Sequence, residues 1–138
     1  MRVLVCGVKR MYRIAVIEDT PAEILLLRIA LDRAELAYEL VEFSAGESAI
    51  ASLAACESLP DLIITDAILP RMSLNELLSG LKEIELVRKV PVIVLSGMDD
   101  PELTRAALAN GAADYIVKPS DLPGWIAVGH RLKHRLAT

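Results

Sequence analysis

The chain has 138 residues, 54% hydrophobic and 4% aromatic, which indicates one folded domain with an aliphatic core and excludes a disordered chain. The formal net charge is −4, and the basic residues are scattered except near the C-terminus, so a nucleic-acid-binding surface is not indicated. Cys6 and Cys56 lack metal-ligand spacing, which indicates free thiols in a reducing cytoplasm.

The first eleven residues precede the periodic pattern, which begins at Tyr12. Their apolar run, Val3 to Val8, is too short to span a bilayer, and the basic pair follows it rather than preceding it, unlike a signal peptide. We expect residues 1–11 to be a disordered extension or an upstream start. Residues 12–138 are predicted to form one cytoplasmic domain without membrane contact.

Five apolar runs alternate with helical patterns along the chain. They predict strands at Tyr12 to Ile17, Tyr38 to Phe43, Asp61 to Thr65, Val92 to Leu95 and Asp114 to Val117. Nearly unbroken apolar runs are expected of parallel strands that helices cover on both faces, and the second, more mixed run suits an edge. The alternation predicts a doubly wound α/β fold with a parallel sheet.

Capping residues mark the helix starts. A hydroxyl at the N-cap and Glu at N3, the spacing of a capping box, occur at Thr20-Pro21-Ala22-Glu23, Ser44-Ala45-Gly46-Glu47 and Ser73-Leu74-Asn75-Glu76. Asp100 is predicted to cap a fourth helix that ends at Asn110-Gly111, because Gly tolerates the left-handed conformation there. A fifth helix is predicted from about Asp121 or Pro123 to the end.

Reactive side chains follow four of the predicted strands, at the sheet edge where ligands bind in open parallel sheets. They are Glu18 and Asp19 after the first strand, Asp66 after the third, Ser96 after the fourth and Lys118 after the fifth. Three carboxylates at one edge repel one another unless a cation lies among them, which predicts a Mg²⁺ site. Acids, a hydroxyl and an ammonium suit the binding of a phosphoryl group that one carboxylate attacks.

Four segments resemble the motifs of receiver domains of two-component response regulators. They are Glu18-Asp19, Thr65 to Met72, Val94 to Gly97 and Tyr115 to Pro119. The likeness extends from Tyr12 to about Arg135, and the spacings of Asp66 to Ser96 and to Lys118 are typical of that family. It implies a flavodoxin-like fold with strand order 2-1-3-4-5. It also implies a stand-alone receiver protein, the type to which the chemotaxis regulator belongs.

The resemblance implies a role for each site residue. Asp66 would accept a phosphoryl group from the phosphohistidine of a sensor kinase or histidine phosphotransfer protein. Glu18, Asp19, Asp66 and the backbone carbonyl of Ile68 would bind Mg²⁺, the cofactor, and Lys118 would pair with the phosphoryl oxygens. Such a protein catalyses only its own phosphorylation and dephosphorylation.

The resemblance also implies a switch. Ser96 would swing inward to the phosphoryl group, and Tyr115 would follow it from an exposed to a buried rotamer. The Lys118-Pro119 bond is expected to be cis, which would aim Lys118 at the site. The surface of the fourth helix, fifth strand and fifth helix would then change, and it would bind a downstream protein or a second copy of the chain.

Two tracts depart from the family pattern. Ser73-Leu74 stands where many receivers have Asp-Gly, so that loop is expected to be stiffer, whereas Gly97 gives its own loop extra freedom.

Two other functions compete with that of a phosphoacceptor. An adaptor that binds its partner regardless of phosphate would not need the Mg²⁺ ligands. A phosphatase of the haloacid-dehalogenase type would need an acid two residues after Asp66, where Ile68 stands.

Overall fold

A computed structural model of the protein describes residues 10–137. The strands are β1 (Tyr12–Ile17), β2 (Tyr38–Phe43), β3 (Leu62–Thr65), β4 (Val92–Ser96) and β5 (Asp114–Val117). The helices are α1 (Pro21–Arg33), α2 (Gly46–Ala55), α3 (Leu74–Glu83), α4 (Pro101–Ala109) and α5 (Leu122–Ala137), with a 3-10 turn at Val87–Lys89. Cys6 and most of the predicted N-terminal extension lie outside the described residues.

The five strands form one parallel sheet in the order β2-β1-β3-β4-β5. This is the doubly wound, flavodoxin-like order that the resemblance implied, with the mixed strand β2 at an edge as its pattern predicted. The chain order reverses between β1 and β3. In sheets of this type the crevice at such a reversal, beyond the carboxyl ends of the strands, is the usual ligand site.

Each face of the sheet carries its own hydrophobic core. Alternate residues of β1 illustrate the division: Ala15 and Ile17 pack with α2, α3 and α4, whereas Ile14 and Val16 pack with α1 and α5. All four side chains are at most 2% exposed. Burial on both faces explains why the central strands are continuous apolar runs rather than alternating ones.

The helix starts fixed by local hydrogen bonds lie where the sequence predicts them. Ser73 and Glu76 form a full capping box at α3, with each side chain accepting from the other residue's backbone N–H. Asp100 accepts from the N–H groups of Glu102 and Leu103 at the start of α4. That helix ends at Ala109, and Gly111 follows with φ of +103°, as expected for a left-handed residue.

The two other predicted capping boxes are wrong. Helix α2 begins at Gly46, one residue later than the Ser44 cap implies, and its N-cap residue, Ala45, makes no capping bond through its side chain. Thr20 is the N-cap residue of α1 but makes no capping bond through its side chain. Its expected partner, Glu23, extends to Lys118 instead. At α1, a tertiary contact therefore replaces the local motif.

No helix in the part of the chain that the structure describes is long and apolar enough to cross a membrane.

Helices α1 and α5 approach each other closely at Gly129. A β-carbon at this position would overlap the backbone carbonyl of Ala30, and a backbone atom cannot rotate away as a side chain can. Gly129→Ala should therefore lower the free energy of unfolding by about 1–3 kcal/mol, although Ala is the better helix former by about 1 kcal/mol. Urea denaturation measures this change.

Gly97→Ala is the matched control, because a β-carbon at Gly97 meets no atom within 4 Å. We expect its stability to stay within about 0.5 kcal/mol of the parent. An unchanged midpoint and slope for Gly129→Ala would contradict the close helix contact.

Candidate functional site

Backbone hydrogen bonds just beyond the strands fix the residues of the site. Each N–H donates to a carbonyl of the neighbouring strand: Glu18 to Phe43 at 2.9 Å, Asp66 to Ile17 at 3.1 Å, and Lys118 to Ser96 at 2.7 Å. The sheet ladder thus continues one residue past β1, β3 and β5. The three side chains start from positions that the sheet itself sets.

Three carboxylates meet at this edge. Glu18, Asp19 and Asp66 each offer an oxygen, and these oxygens lie within 4.8 Å of one another. Glu18 is buried, Asp66 half-buried and Asp19 exposed, so one side of the cluster is open to water. Mg²⁺ prefers an all-oxygen octahedral shell that retains several waters, and this donor set fits that preference.

Lys118 supplies the positive charge of the cluster. Its Nζ donates to Glu18 Oε1 at 2.8 Å and to Glu23 Oε2, and it lies 3.4 Å from Asp66 Oδ2. Its side chain is only 9% exposed, and a charge so buried needs partners of opposite sign. The ammonium has three N–H donors, and three carboxylates surround it.

The expected cis bond before Pro119 is wrong, because the Lys118–Pro119 peptide is trans. Even before proline the trans form is favoured by about 0.5–1 kcal/mol. Lys118 Nζ reaches its three carboxylates with the bond in this form, so the site does not need the cis geometry to aim the side chain.

The charges of the cluster shift the pKa values of its members. Burial raises the pKa of Glu18 to about 8, and a hydrogen bond to Glu23 adds to the increase, although Lys118 opposes it. The hydrogen bond with Glu18 lowers the pKa of Glu23. The more buried carboxyl therefore takes up a proton, and the more exposed one keeps its charge.

Lys118 keeps its charge within this cluster. Burial alone would lower its pKa, but hydrogen bonds to Glu18 and Glu23 and the charge of Asp66 raise the pKa above its ordinary value. The ammonium is therefore positive throughout the physiological range. Among residues 10–137, Lys118 is the ammonium that lies among the carboxyl groups of this edge, which belong to Glu18, Asp19, Glu23 and Asp66. This excess of carboxyl groups favours a further cation at the site.

The two oxygens of Asp66 have different surroundings. Oδ1 accepts from the backbone N–H groups of Ala67 at 2.7 Å and Ile68 at 3.4 Å, whereas Oδ2 faces Lys118. The Ile68 side chain is 62% exposed. Oδ2 is thus the oxygen of Asp66 that lies beside the positive charge.

The loop after β4 joins two further predicted site residues through Met98. The N–H of Met98 donates to Ser96 Oγ at 3.1 Å, and its carbonyl accepts from the Tyr115 hydroxyl at 2.7 Å. Ser96 is fully buried and Tyr115 is 8% exposed. The structure therefore has Tyr115 in the buried arrangement, and a one-residue hydrogen-bond bridge connects it to Ser96.

One residue of the cluster has a different role from the one that its sequence pattern predicts. The pattern predicts Glu23 as the N3 member of a capping box, but its carboxylate contacts Lys118, 95 residues away. Glu23 lies in the first turn of α1, four residues after Asp19, and this nearness along the chain to a predicted site residue is the available signal. Leu74, expected to stiffen the neighbouring loop, is buried in the core.

Comparisons with known sequences identify a matching family model and several relatives. The family model described as "Response regulator receiver domain" matches residues 14–127. The phosphate regulon transcriptional regulatory protein PhoB of Rhizobium meliloti is 37% identical over 115 residues, which are 83% of this chain and 49% of PhoB. The chain thus spans about half the length of sequence relatives such as this one.

Solved structures show the same fold. The phosphorylated cyanobacterial phytochrome response regulator RcpA superposes with a TM-score of 0.83 and 26% identity, covering 94% of this chain and 96% of RcpA. The receiver domain of the Pseudomonas aeruginosa sensor histidine kinase PA1611, solved with a magnesium ion in its active site cleft, gives 0.74 and 22% identity. It covers 94% of this chain and 100% of that domain.

The raised pKa of Glu18 predicts an unusual pH dependence of stability without added metal. Between the ordinary pKa of 4.5 and about 8, the folded protein holds a proton that the unfolded chain lacks, so the free energy of unfolding falls as pH rises. We expect a loss of about 2 kcal/mol between pH 6 and pH 8. Urea denaturation in the presence of a chelator measures it.

Glu18→Gln is the control, because the amide cannot titrate. Its free energy of unfolding should vary by less than about 0.5 kcal/mol over the same pH range. Stability of the parent that rises between pH 6 and pH 8 would contradict the proton assigned to Glu18.

Proposed function

Because the chain belongs to the response regulator receiver family, we propose that it is a phosphoacceptor signalling protein in which Asp66 receives the phosphoryl group. The observation that carries this proposal is the placement of Asp66 Oδ2, which lies 3.4 Å from a buried ammonium at an edge with two more carboxylates. An anionic nucleophile and an anionic phosphoryl group can approach each other only where positive charge compensates both.

The oxygens of Glu18, Asp19 and Asp66, with the carbonyl of Ile68 as a further ligand, would hold Mg²⁺. When bound there, Mg²⁺ supplies charge compensation for the carboxylates and for the oxygens of the transferring group. The magnesium in the PA1611 receiver domain supports this choice of ion, as does the all-oxygen donor set of this chain.

The arrangement around Asp66 supports the following transfer. Its Oδ2 attacks the phosphorus of a phosphohistidine, the P–N bond breaks, and the bonding pair returns to the imidazole nitrogen. The product is an acyl phosphate, whose oxygens Lys118 binds through its ammonium. The signal is lost when water attacks the same phosphorus, which restores the carboxylate and releases inorganic phosphate.

Ser96 and Tyr115 are the proposed switch. Ser96 Oγ accepts from Met98 and keeps its own proton, which it can donate to a phosphoryl oxygen on Asp66. Movement of Ser96 would move Met98, and Met98 holds the Tyr115 hydroxyl. The change would thus reach the surface of α4, β5 and α5.

That surface carries exposed apolar side chains on all three of its elements. Leu108 of α4 is 46% exposed, Val117 of β5 39% and Leu122 of α5 41%. We propose that it contacts a downstream protein or a second copy of the chain. The phosphoryl donor would be a sensor histidine kinase or a histidine phosphotransfer protein. The likeness to RcpA makes a kinase of the phytochrome type the first donor to test.

The proposed transfer predicts a covalent product. With phosphoramidate and Mg²⁺, the intact mass of the parent should increase by one phosphoryl group, whereas Asp66→Asn should gain none. A chelator should slow labelling about 100-fold or more, since uncompensated charge at a phosphoryl centre costs several kcal/mol. Asp32→Asn is the control, because Asp32 is exposed on α1 and contacts Tyr38. It should be labelled like the parent.

A folded parent that gains no mass would contradict the phosphoacceptor function and favour the phosphate-independent adaptor. Equal labelling of Asp66→Asn and the parent would show that another residue is the acceptor.

The proposed switch predicts that labelling and signalling can be separated. Ser96→Ala should still gain the phosphoryl group, because the nucleophile and Lys118 remain. Labelling should change amide hydrogen exchange in residues 97–103 of the parent but not of Ser96→Ala, since the alanine cannot donate to the phosphoryl oxygen. The same exchange change in both proteins would contradict the role of Ser96.

A further inference from the structure

Glu23 occupies a position in the site that the transfer chemistry above does not use. Its carboxylate extends from the first turn of α1 to Lys118 Nζ, which also donates to Glu18 at 2.8 Å. Asp66 Oδ2 is farther from the ammonium, at 3.4 Å. The proposed nucleophile therefore does not have the closest contact with Lys118.

Glu23 serves the ammonium rather than the cation cluster. In the part of the chain that the structure describes, the carboxylates close enough together to share a metal ion are those of Glu18, Asp19 and Asp66, and Glu23 is not among them. Its side chain is 32% exposed, against 7% for Glu18, so burial does not prevent it from leaving Lys118 for water.

A phosphoryl group on Asp66 would need an N–H donor that is now in use. The ammonium has three donors, and the carboxylates of Glu18, Glu23 and Asp66 surround it. Under the proposed function, Glu18 turns to the metal and Asp66 carries the phosphoryl group. Glu23 remains as the carboxylate that competes with the phosphoryl oxygens for Lys118.

We propose that Glu23 is a positioning residue that holds Lys118 in the unphosphorylated protein and so opposes phosphorylation. This inference rests on the proposed function and adds a regulatory contact to the same site. The hydrogen bond that Glu23 accepts from Lys118 stabilises the resting state, and a phosphoryl group at the site competes with Glu23 for the same ammonium. Removing the charge of Glu23 should therefore favour the occupied state.

Beryllofluoride, a non-covalent analogue of the phosphoryl group, provides the test. Its affinity is measured by ¹⁹F NMR at saturating Mg²⁺, so that differences in metal binding do not enter. Glu23→Gln should bind it about three- to tenfold more tightly than the parent, the range expected for one partly exposed ion pair. Glu23→Ala should change in the same direction, which guards against an effect peculiar to the amide.

Glu39→Gln is the matched control. It removes the same charge from an exposed ion pair, Arg13–Glu39 at 3.9 Å, on the β1–β2 side of the sheet. Its affinity for beryllofluoride should stay within about twofold of the parent. An equal gain in Glu39→Gln would show that net charge, not the contact with Lys118, is responsible, and would overturn the inference.

A double-mutant cycle tests whether Glu23 acts through Lys118. The unfolding equilibria of the parent, Glu23→Gln, Lys118→Met and the double variant are measured without metal, and a coupling of about three- to tenfold is expected. Additive effects of the two substitutions would overturn the inference, as would unchanged or weaker binding of beryllofluoride by Glu23→Gln.

Beryllofluoride binding distinguishes failure of the phosphoacceptor function from failure of the role of Glu23. A parent that does not bind beryllofluoride with Mg²⁺ present would contradict the phosphoacceptor function and this inference together. Binding by the parent with no gain in Glu23→Gln would contradict only the role of Glu23.

Discussion

The site depends on the burial of one ammonium among carboxylates at the carboxyl end of the sheet. Lys118 is 9% exposed and has Glu18, Glu23 and Asp66 around it. These groups compensate its charge, but with Asp19 they leave an excess of negative charge in a small space. Taking up a proton at Glu18 relieves part of that excess, and a divalent cation would relieve more. Phosphoryl chemistry requires the same compensation.

The fold keeps these charges together against their repulsion. Two apolar cores hold the sheet from both faces, and hydrogen bonds that continue past the strands fix the backbone at Glu18, Asp66 and Lys118. Repulsion between carboxylates at such an edge is small beside the free energy gained by burying two cores. The fold therefore tolerates the repulsion between carboxylates at this site, and a bound cation would reduce that repulsion.

Much of the fold is predictable from local patterns in the sequence. Apolar runs identify the five strands to within a residue at each end, and the capping box of α3 and the Asp100 cap of α4 form as expected because their bonds lie within one turn. Two predicted capping boxes do not form. Helix α2 begins one residue after the predicted position, and Glu23 contacts Lys118 instead of the start of α1. Lys118 lies 95 residues from Glu23 along the chain, so no periodic pattern in the sequence indicates their contact.

The proposed function requires that Asp66 form an acyl phosphate. The most direct measurement treats the protein with phosphoramidate and Mg²⁺, reduces it with borohydride, and locates the modified residue by peptide mass spectrometry. Borohydride converts an aspartyl phosphate to homoserine and leaves a free carboxylate unchanged. We expect homoserine at position 66 alone. Homoserine at Asp19 or at another aspartate, with position 66 unmodified, would contradict it.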